Sequence, residues 1–160
     1  MKKIKNPYLG LQEQGYNCFA CCPDNPCGLK MEFHEDGEDI VCVWNPNDNY
    51  QGWLKTLHGG IQATLMDELG GWLINRKLQT AGMTTNLTMK YRNPVPTGEG
   101  VRIEIRGHIK EMKRNFAFIE ATLSYEGKVC SSCEMTYYCF PKDKAESDFF
   151  FTGCELYGGS

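Results

Sequence analysis

The stretch "TLHGGIQATLMDELGGWLINRK", Thr56 to Lys77, decides the fold. Ile61, Leu65, Leu69, Trp72 and Leu73 recur at helical spacing and make one apolar face, so the spacing predicts a single long helix. It opens on His58-Gly59-Gly60 and carries an acid, Asp67, two turns in. The residues three and four places to either side of Asp67 are Ala63, Thr64, Gly70 and Gly71, all small. A stripe this bare around one carboxylate lets a backbone or a ligand come close to it. The plain alternative is that the glycines and the acid only permit tight helix–sheet packing.

Outward from this helix the hydrophobic period changes. Before it, "MEFHEDGEDIVCVW" alternates on both sides of Asp36-Gly37, which signals a hairpin. After Gly82, Thr85, Leu87, Met89 and Tyr91 alternate, then Val101, Ile103 and Ile105, and "NFAFIEATLSY" and "KVCSSCEMTYYCF" complete the series. Short turns between these runs mean antiparallel neighbours. The expected fold class is therefore α+β: a curled antiparallel sheet of five to six strands wrapped around one long helix. With no second helix expected, a partner chain or a solvated surface must cover the sheet's other face. Residues 1–16 read as an N-terminal extension, 17–141 as the domain and 142–160 as a tail whose "DFFF" invites docking.

With 160 residues, 41% hydrophobic and 23% charged, the chain fits one globular domain. A net charge of -3 gives no reason to expect nucleic acid as partner. No apolar run approaches the roughly 18 residues that cross a bilayer, and no apolar segment follows the lysines of "MKKIKNPYLG". No membrane partner is expected, and the expected location is cytoplasmic. The nine cysteines then read as reduced thiols acting as small buried hydrophobes.

Glycines at a helix start leave backbone N–H groups unshielded, and with the helix dipole they favour a negative oxygen. Gly59 and Gly60 so placed suit the oxyanion of an acyl-transfer intermediate. Seven residues at about 1.5 Å each put Asp67 roughly 10 Å from Gly60. Both groups should lie about 3 Å from one reacting centre, so the spacing favours a site shared between two chains. A bend at the helix start is the alternative.

"YQGWLKTLHGGIQATLMDELGG" resembles the signature of the PaaI-type acyl-CoA thioesterases of the hot-dog fold, with its acid nine residues after the His of HGG. "MTTNLTMKYRNPVPTGE" is similar to that family's next strand and turn, and "CFACCPDNPCGLKMEF" to the opening of many members. The resemblance covers roughly residues 17 to 140. It implies hydrolysis of a small or medium acyl-CoA, including aryl-CoA, to free acid and CoA. It also implies a homodimer or a dimer of dimers with sites across the dimer interface. By the same resemblance Gly59 and Gly60 bind the carbonyl oxygen and Asp67 is nucleophile or general base. Gln51 orients the carbonyl or water, and Thr84, with Thr85 as alternative, places the water. The other readings are a non-catalytic acyl-CoA binder and a hot-dog enoyl thioester dehydratase.

His58 could serve as base, but in this motif it is expected to orient the loop or cap the helix. His34 and His108 sit in strand-like stretches without partners. Lys110, Lys113 and Arg114 crowd one turn, where Lys113 and Arg114 are candidates to attract the CoA phosphates. Trp53 is expected to line the acyl pocket or to join Trp72 and Tyr91 in the core. Cys18, Cys21 and Cys22 form a loop cluster with no evident fourth ligand, and Cys130-x-x-Cys133 lies in a strand where residues three apart diverge. Neither metal nor cofactor is expected.

Overall fold

A computed structural model describes residues 1–159. Seven antiparallel strands make one sheet: β1 (Lys2–Lys3), β2 (His34–Asp36), β3 (Asp39–Trp44), β4 (Gly82–Tyr91), β5 (Ile103–Lys113), β6 (Phe116–Tyr125) and β7 (Lys128–Cys139). Their spatial order is β1-β2-β3-β5-β6-β7-β4. Helix α1 (Gly59–Leu73) lies in the curl of the sheet and touches β3, β4, β5, β6 and β7. The α+β class and the single long central helix are as the sequence implies.

Hydrophobic burial holds the helix there. Leu65, Met66, Leu69 and Leu73 are fully enclosed, and Trp72 stacks on Phe33 with ring centroids 4.4 Å apart. Each such side chain contributes about 1.5–3 kcal/mol of transfer free energy. Gly107 on β5 sets the distance of approach. A Cβ there would stand 2.7 Å from Leu69 Cδ2 and 2.8 Å from the Glu120 carbonyl oxygen, so only glycine lets the helix sit this close. Hairpin β2–β3 turns at Gly37, whose φ of +61 a side chain would oppose.

Three expectations need correction. The sheet has seven strands, not five or six, because Lys2 and Lys3 pair with Glu35 and His34, and two residues carry no readable period. A second helix, α2 (Lys142–Phe149), does exist; "KDKAESDF" buries only Ala145, so it has no apolar stripe to announce it. Of the aromatics placed with the core, only Trp72 belongs there: Trp53 is 82% exposed and Tyr91 53%.

The segments expected as extension and tail pack on the same body. Ile4, Phe151, Cys154 and Leu156 are buried, Ile4 bridges Leu156, and Lys5 N–H donates to the Glu155 carbonyl at 2.8 Å. Beyond Leu73 the helix widens into one π turn, Ile74–Leu78, which ends at Gln79 with φ +53. Among the described residues no helix is long and apolar enough to cross a membrane.

Candidate active site

His58 ends the preceding loop in extended backbone and caps α1: its Nδ1 accepts the Gly60 N–H at 2.8 Å, and its carbonyl accepts from Gln62 N–H at 3.1 Å. Gly60 is required for this, since a Cβ would lie 3.0 Å from the imidazole. The cap corrects the pairing of Gly59 with Gly60 as two free donors. The Gly60 amide is spent on His58, and the same bond occupies the nitrogen that a basic His58 would use. Gly59 N–H has no acceptor among the described residues, and the Gly59 carbonyl is held by Tyr91 O–H at 2.7 Å. His58→Ala should cost about 0.5–2 kcal/mol of stability through the lost cap, read by denaturant unfolding.

An open cleft of about 380 Å³ lies at this helix start, lined among others by Trp53, His58, Gly59, Gln62, Tyr91 and Arg92. Gln62 forms its floor, buried and doubly fixed: Ser131 O–H donates to Oε1 at 2.8 Å, and Nε2 donates to the Leu57 carbonyl.

Two turns on, Asp67 is half-buried against β4 and β7. Thr84 O–H donates to Asp67 Oδ1 at 2.5 Å and Tyr137 O–H to the same oxygen at 2.9 Å, while Tyr137 also bonds the Asp67 carbonyl. Burial, reinforced by the Asp67 charge, holds the Tyr137 phenol above its ordinary range, so it stays a donor. No described residue donates to Oδ2. Since no buried polar side-chain atom lacks a partner, Oδ2 faces an accessible surface. Gly70 makes this geometry possible: a Cβ there would stand 2.7 Å from Tyr137 Cε1. The bare stripe around the acid thus admits a phenol that grips it.

The other sequence candidates fall elsewhere. Gln51 Oε1 accepts from Lys55 N–H at 3.2 Å, and Gln51 is not among the residues lining the cleft. Thr85 sits at a bulge in β4, turned outward, and donates to the Thr136 carbonyl at 3.0 Å. Lys113 and Arg114 occupy the β5–β6 tip, where Lys113 Nζ is 3.9 Å from Glu111. The basic residue at the cleft is Arg92, which no motif singled out. Tyr137 was also missed, and its signal is the buried face of "MTYYC", opposite which Thr84 pairs in register.

A second ionisable cluster lies on the other side of α1. Cys18, Cys21 and Glu68 come together there, with Cys18 pulled down to about 6 by its hydrogen bond from Cys21, and Glu68 pushed up to about 7 by burial.

A sheet curled around a glycine-led helix that carries a gripped carboxylate defines a hot-dog domain. The family model described as Thioesterase superfamily matches residues 54–131, which contain the whole of α1 and the following strands. The chain belongs to the thioesterase superfamily. A mouse (Mus musculus) protein named acyl-coenzyme A thioesterase 13 is 28% identical over 88 residues, 54% of this chain and 61% of that protein. The chain thus spans about three fifths of the length of the curated relatives it matches. A thioesterase superfamily structure from Shewanella loihica PV-4 superposes with a TM-score of 0.61 at 25% identity, over 69% of this chain and 91% of that one. A hypothetical thioesterase from Streptococcus pneumoniae TIGR4, solved with coenzyme A, gives 0.62 at 17% identity, over 70% and 90%.

Proposed function

We propose that this protein hydrolyses small or medium acyl-CoA thioesters, including aryl-CoA esters, to the free acid and CoA. One observation carries the reading: Asp67 has one oxygen clamped by two hydroxyls and the other open, on a helix that begins with an unspent Gly59 amide. The clamp fixes the carboxylate's orientation, and the open oxygen is free to attack the thioester or to take a proton from water. In the second route hydroxide adds to the carbonyl carbon, charge develops on the carbonyl oxygen, and collapse expels CoA thiolate. The Gly59 N–H, at the positive end of the helix, suits that oxyanion. The relative solved with coenzyme A and the relative named for acyl-CoA supply the substrate class. Arg92 at the cleft is the candidate to meet CoA phosphate, in place of Lys113 and Arg114.

The site is proposed to need a second copy. Along one helix the Gly59 amide and Asp67 stand more than 10 Å apart, about eight residues at 1.5 Å. Strand β4 is a ten-residue sheet edge, and Met83 and Tyr91 on it are 53% exposed. Trp53 and Leu54 near the cleft are more exposed still. Edges this long are normally covered, and pairing through β4 would cover this one and bring the two helices side by side. All nine cysteines are unpaired, which supports an intracellular, cytoplasmic setting.

A panel of acyl-CoA esters varied in chain length and aromaticity tests the activity by release of free CoA. Turnover of at least one class is expected. A panel left intact, with a non-hydrolysable CoA thioether still bound, would mean a binder instead. Tyr137→Phe removes one donor to Asp67 and should lower kcat about ten- to a hundredfold with little change in KM, the scale of a hydrogen bond to a charged group.

A further inference from the structure

We propose that Cys18, Cys21 and Glu68 form a binding site for one thiophilic divalent cation of the Zn²⁺ class, separate from the Asp67 site. The sequence placed Cys18, Cys21 and Cys22 in one loop but offered no ligand to complete them, and no metal was expected. Folding removes Cys22, which is fully buried with its Sγ toward the Tyr16 carbonyl, and brings in Glu68 from α1, fifty residues along from Cys18. The three donor atoms lie within 4.8 Å of one another. Cys18 Sγ stands 3.7 Å from each Glu68 oxygen. A tetrahedral zinc ion with sulfur at about 2.3 Å and oxygen at about 2.1 Å holds those atoms roughly 3.6 Å apart, so little adjustment is needed.

The surroundings fit a metal better than they fit an empty cluster. Trp72 Nε1 donates to Glu68 Oε2 at 3.0 Å, which orients the carboxylate and leaves Oε1 for an ion. Ala20 N–H donates to Cys18 Sγ at 3.3 Å, the kind of donor a bound thiolate uses. Among the described residues the hydrogen-bond donors to Glu68 are Cys18 and Trp72, neither of them a cation. A carboxylate facing thiols without a positive partner is costly, and a divalent ion supplies the missing charge. Thiolate with carboxylate selects zinc over the hard cations. The trio lines a cavity of about 330 Å³ shared with Tyr8, Tyr16 and Asn75, with room for a water to complete four ligands. Bound there, the ion would tie the cysteine loop to the central helix.

The full-length protein, reduced and stripped with chelator, is titrated with Zn²⁺ and in parallel with Co²⁺. Uptake of one equivalent is expected, with Co²⁺ giving the thiolate charge-transfer absorption of a tetrahedral ion. Glu68→Gln keeps an acceptor for Trp72 and should weaken binding about ten- to a hundredfold or more. Cys18→Ser should remove uptake. Asp67→Asn should bind as the unmodified protein does, so this result stands apart from the fate of the hydrolase reading. If a variant does not fold, the unmodified protein decides, because Zn²⁺ should slow maleimide labelling of Cys18 as mapped by peptide mass. No uptake, uptake that survives both ligand variants, or unchanged labelling of Cys18 would overturn the proposal.

Discussion

Asp67→Asn is expected to lower kcat for acyl-CoA hydrolysis by about 10²–10⁴, the range that a positioned proton-transfer group supplies. The substitution keeps the size of the side chain and an oxygen that Thr84 and Tyr137 can still donate to. What it removes is the negative charge and the basic or nucleophilic oxygen. Steady-state kinetics should therefore register the loss in kcat, while unfolding by denaturant shifts little. Unchanged turnover would take Asp67 out of the chemistry, whatever its geometry.

Leu69→Ala should bring the largest loss of stability, about 2–5 kcal/mol for a fully enclosed leucine. Leu69 is 0% exposed and lies at the closest approach of α1 to the sheet, over Gly107. With no side chain on Gly107 to move into the space, the cavity cannot collapse cheaply. In a domain of this size each kcal/mol shifts Tm by roughly 2–4 °C, so calorimetry should find a fall of about 4–20 °C. A fall under about 1 °C would mean that the helix is not anchored at this point.

The helix and the five strands from β3 to β7 could be read from the sequence because each carries a period that burial enforces. Ile61 to Leu73 repeat with the turn of a helix, and the later runs alternate. β1 and α2 were invisible for the opposite reason: two lysines have no pattern, and a helix that buries one alanine has no stripe. At the site, Asp67, Thr84 and the glycine-led start stood out through spacing and resemblance. Tyr137 did not, since its contact with Asp67 exists only after β7 has folded over Gly70, seventy residues back along the chain from the phenol to the acid. The capture of the Gly60 amide by His58 was hidden too, because a histidine beside two glycines reads equally as base or cap. Glu68 escaped notice beside Asp67, where neighbouring helix positions point to different sides: one toward β4 and β7, the other toward the cysteine loop.

The central claim is that one chain's Asp67 works with the helix-start amide of another, and mixing two inactive variants tests it. Asp67→Asn lacks the acid; Gly59→Val covers the amide, its Cβ meeting Tyr91 only at an ordinary 3.5 Å. Each variant alone should be inactive. After co-refolding in equal amounts, random two-fold pairing gives mixed dimers with one intact site each, so about a quarter of wild-type activity should return. A mixture that forms dimers and stays inactive would contradict the shared site.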